Sequence, residues 1–188
     1  GPTVRAGERG RRAVEGDAHW PTTRALDADG WAFVARLFVR TLFSENKVVA
    51  IGIDRSSEML RLARVKLEEA GISGASLRQG DMSALPLGDH SADSIILHQV
   101  LHYAQQPGSA IAESARVLAP AGQLLVIDFA QHHRAELKEQ DAHLRLGFAD
   151  DAMRGWFTAA GLELDRIERL EGGELTVILW RGVKPGVT

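Results

Sequence analysis

Cysteine is absent from all 188 residues. That excludes disulfides, thiolate metal sites, iron–sulfur clusters and a cysteine nucleophile together. Long apolar runs are also missing, none approaching the roughly 18 residues that span a bilayer. Gly1 to Trp20 holds no apolar h-region, so it does not read as a secretory signal. Nor is there an excess of basic charge. Lys and Arg number 22 against 25 Asp and Glu, for a net charge of −3. Non-specific nucleic-acid binding needs a basic surface, and no helix-turn-helix pattern stands in for one. The expectation is a cytoplasmic protein with no nucleic-acid or membrane partner. Repeats and low-complexity tracts are lacking too. What remains is ordinary for one folded domain, with 45% apolar and 25% charged residues.

From Lys47 onward strands and helices alternate. Val48 to Ile53 is a continuous apolar run ending in Asp54, the signature of a strand buried on both faces. Ser56 or Ser57 can cap a helix whose apolar positions are Met59, Leu60, Ala63, Leu67 and Ala70, stopped by Gly71. Ser76–Gln79, Ser94–Leu97 and Leu124–Ile127 read as further strands, the last preceded by a Pro120-Ala121-Gly122 turn. Pro107 opens a helix through Leu118, and Ala149–Ala160 is another. His132–Leu146 is polar and helix-prone. Leu162–Leu170 and Leu175–Trp180 form a hairpin about Gly172-Gly173. The expected fold is α/β, a mostly parallel sheet with helices on both faces and a C-terminal antiparallel hairpin.

Residues 1–46 break this pattern. Residues 1–47 carry eight basic and six acidic side chains, whereas 48–188 carry 14 and 19. No periodicity precedes Gly30, and the apolar set Phe33, Val34, Leu37, Phe38 and Leu42 suggests one helix at about 28–44. The expected organisation is an atypical segment 1–46, a domain 47–182 and a tail 183–188.

Ligands of open α/β sheets sit at the carboxyl ends of the strands. Those ends carry Asp54, Gly80-Asp81-Met82, His98-Gln99 and Asp128. A carboxylate after the second strand suits a ribose diol, because its two oxygens both accept. Capping the next helix explains Asp54 equally well, with Ser56 as its competitor. A nicotinamide oxidoreductase also places an acid there.

Several segments in order bear a resemblance. Val49–Asp54 with Ser57-Glu58-Met59-Leu60, then Gln79–Leu87, then Ala92–Ile96 with Val100-Leu101-His102-Tyr103, then Arg116–Leu124, together resemble class I S-adenosylmethionine-dependent methyltransferases. The likeness covers about residues 47–182. It is closest to the small-molecule, quinone-biosynthesis branch and to methyltransferase domains fused to ArsR-type repressors, where segments like His98–Tyr103 and Leu146-Gly147-Phe148 recur. The resemblance implies a Rossmann-like fold, S-adenosylmethionine as cofactor, S-adenosylhomocysteine as product and a small-molecule acceptor. It implies that Asp54 holds the ribose hydroxyls with Arg55 alongside. Asp81 after Gly80 would accept from the adenine amine, Met82 would pack on the ring, and His98 and Gln99 would lie near the methionine end or the substrate. A turn residue for Asp81 and core packing for Met82 are the plain alternatives. Arsenite is a poor acceptor for a chain without thiolates.

One element of that family is lacking. Its first strand and glycine-rich loop lie about 20 residues before the ribose acid. Here Trp31–Glu45 holds no glycine, and Ala6-Gly7-Glu8-Arg9-Gly10 is a distant substitute. The first strand reads as missing or replaced. A replaced or deleted start, a shifted reading frame, or a homodimer exchanging elements would each account for it. The rival function is a non-catalytic methyltransferase-fold module serving assembly or regulation. Histidine titrates near neutrality, so His98 and His102 are candidate general bases. They stand four apart, a spacing that on a helix shares a face, but no third ligand or H-E-x-x-H accompanies them, and no metal is expected. His132, His133 and His143 lie where a substrate lid or a solvated helix would be.

Overall fold

The computed structural model describes residues 37–41, 49–73, 75–133, 145–171 and 175–186. Contacts divide the chain into units 1–32 and 33–188, and the first lies outside the described residues. So do most of the polar stretch 132–146 and the Gly172-Gly173 turn.

Among the described residues seven strands form one sheet: β1 (Leu37–Thr41), β2 (Val49–Asp54), β3 (Ala75–Gln79), β4 (Ala92–His98), β5 (Leu118–Phe129), β6 (Glu163–Leu170) and β7 (Val177–Val183). Their order is β3-β2-β1-β4-β5-β7-β6. Helices α1 (Ser57–Glu69), α2 (Pro107–Val117) and α3 (Asp150–Ala159) join them, with a 3-10 turn at Leu101–Tyr103. β2 and β3 are parallel, as are β4 and β5. The two crossovers leave the centre in opposite directions. Right-handed connections therefore put α1 and α2 on opposite faces. α3 packs against α2.

Sequence explains most of these elements. Ser56 is the cap of α1, accepting from Met59 N at 3.2 Å, and Gly71 turns the chain out at φ +66°. Pro107 occupies the first turn of α2, where its missing N–H costs nothing. The core gathers Ile53, Ile95, Leu97, Ile111, Leu124, Val126, Phe157 and Trp180, each buried. β3 and β6 edge the sheet and are accordingly more exposed. The closing hairpin is present, with β7 antiparallel to both β5 and β6.

The expected helix at about 28–44 is corrected over residues 37–41, which form β1. This strand fills the central slot that the sequence left vacant, and it runs antiparallel to β2 and β4. Chain length gives the reason. Only residues 42–48 separate β1 from β2, whereas a parallel return needs a dozen or more. The expected tail also starts later than 183. Val183 closes β7, and Lys184 Nζ donates to Ala115 O at 2.6 Å and Leu118 O at 2.7 Å. Among the described residues no helix is long and apolar enough to cross a membrane.

Candidate functional site

β2 and β3 lie in register with Asp54 opposite Gln79. The residues following each strand therefore emerge side by side at the carboxyl edge. Gly80 N donates to Asp54 O at 3.0 Å, and Gln79 Nε2 donates to Arg55 O at 3.0 Å. Gly80 is required there. A Cβ would lie 2.7 Å from Pro86 Cδ and 2.9 Å from Ile53 Cγ2. Because Ser56 is the helix cap, Asp54 is released from that task. Its Oδ1 accepts only from Ser56 N, at 2.8 Å, among the described residues, and its carboxylate lines a cleft.

That cleft, of about 150 Å³, is walled by Ile53, Asp54, Arg55, Gly80, Met82, Val100 and Tyr103. A wider opening adjoins it, reached by Asp81, Arg55, Met82 and Tyr103. Asp81 Oδ1 accepts from Ser83 N at 2.7 Å, and its Oδ2 lies 3.4 Å from Arg55 Nε. The structure thus brings together Asp54, Arg55, Gly80, Asp81 and Met82, drawn from two loops some 25 residues apart in sequence.

The histidines part company with this cluster. His98 ends β4, half-buried, and Gln99 follows at φ +48° with its N–H on Ile127 O at 2.7 Å. Neither lines the cleft. Burial holds the His98 imidazole below its ordinary pKa of 6.5, against the opposing pull of the Asp128 charge. His102 lies in the 3-10 turn and is 2% exposed. The two histidines therefore share no helix face, which removes the premise of an i, i+4 pair. His102 Nδ1–H donates to Asp128 Oδ1 at 2.7 Å. Asp128, fully buried, also accepts from Leu101 N at 3.0 Å, His102 N at 3.3 Å and Phe129 N at 2.8 Å. This carboxylate ties the end of β5 to the turn that places Val100 and Tyr103. Among the described residues no group of three or more His, Cys, Asp or Glu is placed to hold a metal ion.

Sequence reading assigned no role to Val100, Tyr103 or Asp128. Asp128 stood out only as an acid near the end of β5, and Val100 and Tyr103 only within the segment just past β4 that carried the resemblance. His132 lies with its ring 6.4 Å from that of Phe129, and His143 falls outside the described residues.

The acceptor set suits an adenosine. Two carboxylates at neighbouring strand ends can accept from a ribose diol and an exocyclic amine, and Ile53, Met82, Val100 and Tyr103 offer a wall for a flat ring. Comparison with known proteins agrees. Residues 31–126 match the family model described as "Methyltransferase domain". A ubiquinone/menaquinone biosynthesis C-methyltransferase UbiE of Yersinia pestis (strain Pestoides F) is 30% identical over 189 residues, covering 86% of this chain and 74% of that protein. Among solved structures, a methyltransferase-named protein of Bacillus halodurans C-125 superposes with TM-score 0.64 at 18% identity, over 72% of this chain and 82% of that one. A geranyl diphosphate methyltransferase in complex with SAM gives 0.60 at 12% identity, over 71% and 68%. The family match begins at residue 31, within the segment set apart by its sequence. With the site and these relatives in agreement, the chain belongs to the S-adenosylmethionine-dependent methyltransferases, enzymes of Rossmann-like fold that move a methyl group from that cofactor to a small-molecule acceptor.

Proposed function

We propose that the cleft between the β2 and β3 loops holds the adenosine half of S-adenosylmethionine, in a cytoplasmic enzyme. When bound, the cofactor supplies an electrophilic methyl group on a sulfonium. The convergence of Asp54, Arg55, Gly80 and Met82 on one cleft carries this reading. Asp54 accepts from the ribose hydroxyls, Arg55 stands over the same rim, Asp81 accepts from the adenine amine, and Met82 packs on the ring. Gln99 and His98 lie at the β4 end, toward the methionine end and the acceptor. His98 is the better candidate base of the two histidines. Its burial favours the neutral, proton-accepting form at neutral pH. His102 is engaged with Asp128 and positions the turn. Alignment and exclusion of water supply most of the rate in such a transfer.

The test is a titration with S-adenosylhomocysteine. Asp54→Asn should weaken binding about 10- to 100-fold, the effect of losing hydrogen bonds to a charged group. Equal affinity in the variant would sink the ribose assignment. A second reading is favoured by the reversed β1. The end of β1, Thr41, pairs with Val49 at the sheet edge away from Asp54. β1 therefore ends at the far end of the sheet from Asp54, whereas in this family's arrangement the strand end that leads into the cofactor loop lies beside the ribose acid. On this reading the chain is a non-catalytic module of the family. No measurable S-adenosylhomocysteine binding to the unsubstituted chain would select it.

A further inference from the structure

The loop that carries Asp81 and Met82 belongs to no helix or named strand. Its backbone is held instead by two side chains of α2. Glu113 Oε1 accepts from Leu85 N at 2.8 Å. Arg116 Nη2 donates to Leu87 O at 3.0 Å and reaches Leu85 O at 3.5 Å. Its Nη1 pairs with Asp89, and its own carbonyl accepts from His90 N at 3.1 Å. The two helix residues stand three apart, so they share a face. They are also bonded to each other, Arg116 Nε to Glu113 Oε2 at 2.9 Å and Nη2 to Oε1 at 2.6 Å.

At its other end the loop is tied by Gly80 N to Asp54 O, and by Ser83 N and Ala84 N to Asp81. Pro86 folds back onto Gly80. The recognition residues thus sit between one anchor on β2 and another on α2. The second anchor is charged at neutral pH, because the Arg116 guanidinium holds the Glu113 carboxyl below the usual carboxylate range. The Glu113 side chain is only 15% exposed, so the pair is shielded better than a surface ion pair.

We propose that Glu113 and Arg116 are positioning residues for adenine recognition: touching no part of the adenosine cleft, they set its selectivity for a 6-amino purine by fixing the loop that carries Asp81 and Met82. The proposal rests on the adenosine reading of the cleft. Its physical content is specific. A carboxylate that accepts from the 6-amino group repels the 6-oxo group of hypoxanthine, but only while it is held in place.

Two measurements on the full chain test it. In the ligand-free protein, amide hydrogen exchange compares Ser83, Ala84 and Leu85 with Leu97 and Val126 in β4 and β5. Glu113→Ala should speed the first set about tenfold or more and leave the second unchanged. Glu113→Gln, which keeps an acceptor for Leu85 N, should fall between. In ligand titration, the preference for S-adenosylhomocysteine over S-inosylhomocysteine should drop about tenfold in Glu113→Ala, the equivalent of about 1.4 kcal/mol. Arg116→Lys keeps the charge without the fork and gives the same two readings should the alanine variant fail to fold. Unchanged loop exchange, equal acceleration in the core strands, or the same proportional weakening for both ligands would each overturn the proposal. Failure of the underlying reading looks different. The unsubstituted chain would then bind neither ligand, or both alike, and the selectivity role would fall with it, whereas a selective wild type and an equally selective variant would remove the clamp alone.

Discussion

The charge of His98 depends on its place in the fold. Burial depresses its folded pKa below 6.5, the unfolded value. Between those two values the unfolded chain binds more protons than the folded one, so stability rises with pH in that window and is lost as pH falls through it. Denaturant unfolding from pH 7.5 down to 5 should therefore show the wild type losing stability faster than His98→Gln below pH 6.5, by up to about 1.4 kcal/mol per pH unit. Parallel curves would show that the imidazole is not buried as described. The spacing of His98 and His102 was legible in sequence, and its meaning was not. A strand and a tight turn separate the two side chains where a helix would have stacked them. Asp54, Gly80 and Asp81 were readable because strand ends concentrate chemistry in such sheets. Tyr103 and Val100 were not readable, since their facing depends on a turn held by the buried Asp128.

Elements from β2 to β7 follow from local pattern. Apolar runs, caps and prolines agreed with the tertiary outcome in element type, but β5 starts at Leu118 and runs through the expected Pro120-Ala121-Gly122 turn, and β7 extends to Val183 beyond the expected Trp180. What pattern could not supply is the fit between elements. Gly182 in β7 looks like any strand glycine, yet its missing side chain accommodates the buried ring of Phe157 from α3. A Cβ there would lie 2.2 Å from Phe157 Cδ1. Gly182→Ala should cost about 1 to 3 kcal/mol, seen as a lower urea midpoint with unchanged slope. An unaltered midpoint would mean that the α3–β7 packing is looser than this. Trp180 is similar in kind. Its indole N–H donates to Asp150 Oδ1 at 2.9 Å, joining β7 to the start of α3 across 30 residues.

For the whole molecule the governing feature is the direction of β1. Its register places Arg40 opposite Ala50 and Leu37 opposite Ile53. Facing residues of an antiparallel pair lie about 4.5 to 5.5 Å apart at Cα, within disulfide reach. The chain has no cysteine of its own, so an engineered pair reads cleanly. Arg40→Cys with Ala50→Cys should close a disulfide on mild oxidation, detected by intact mass, and Phe38→Cys with Ala50→Cys, a pair that would face each other only if β1 were reversed about Val39 and Ile51, should not. The opposite result would mean a parallel β1. By itself the sequence determined the α/β class, the caps and stops, the acids at the strand ends and the family, because these rest on local spacing that survives in any surrounding fold. Only the tertiary structure decided the rest. It reversed the central strand, since seven linking residues cannot cross a sheet. It drew two distant loops into one cleft and secured one of them through an ion pair on α2. It also buried His102 behind Asp128. Each of these depends on which surfaces meet, and that is settled only when the sheet closes.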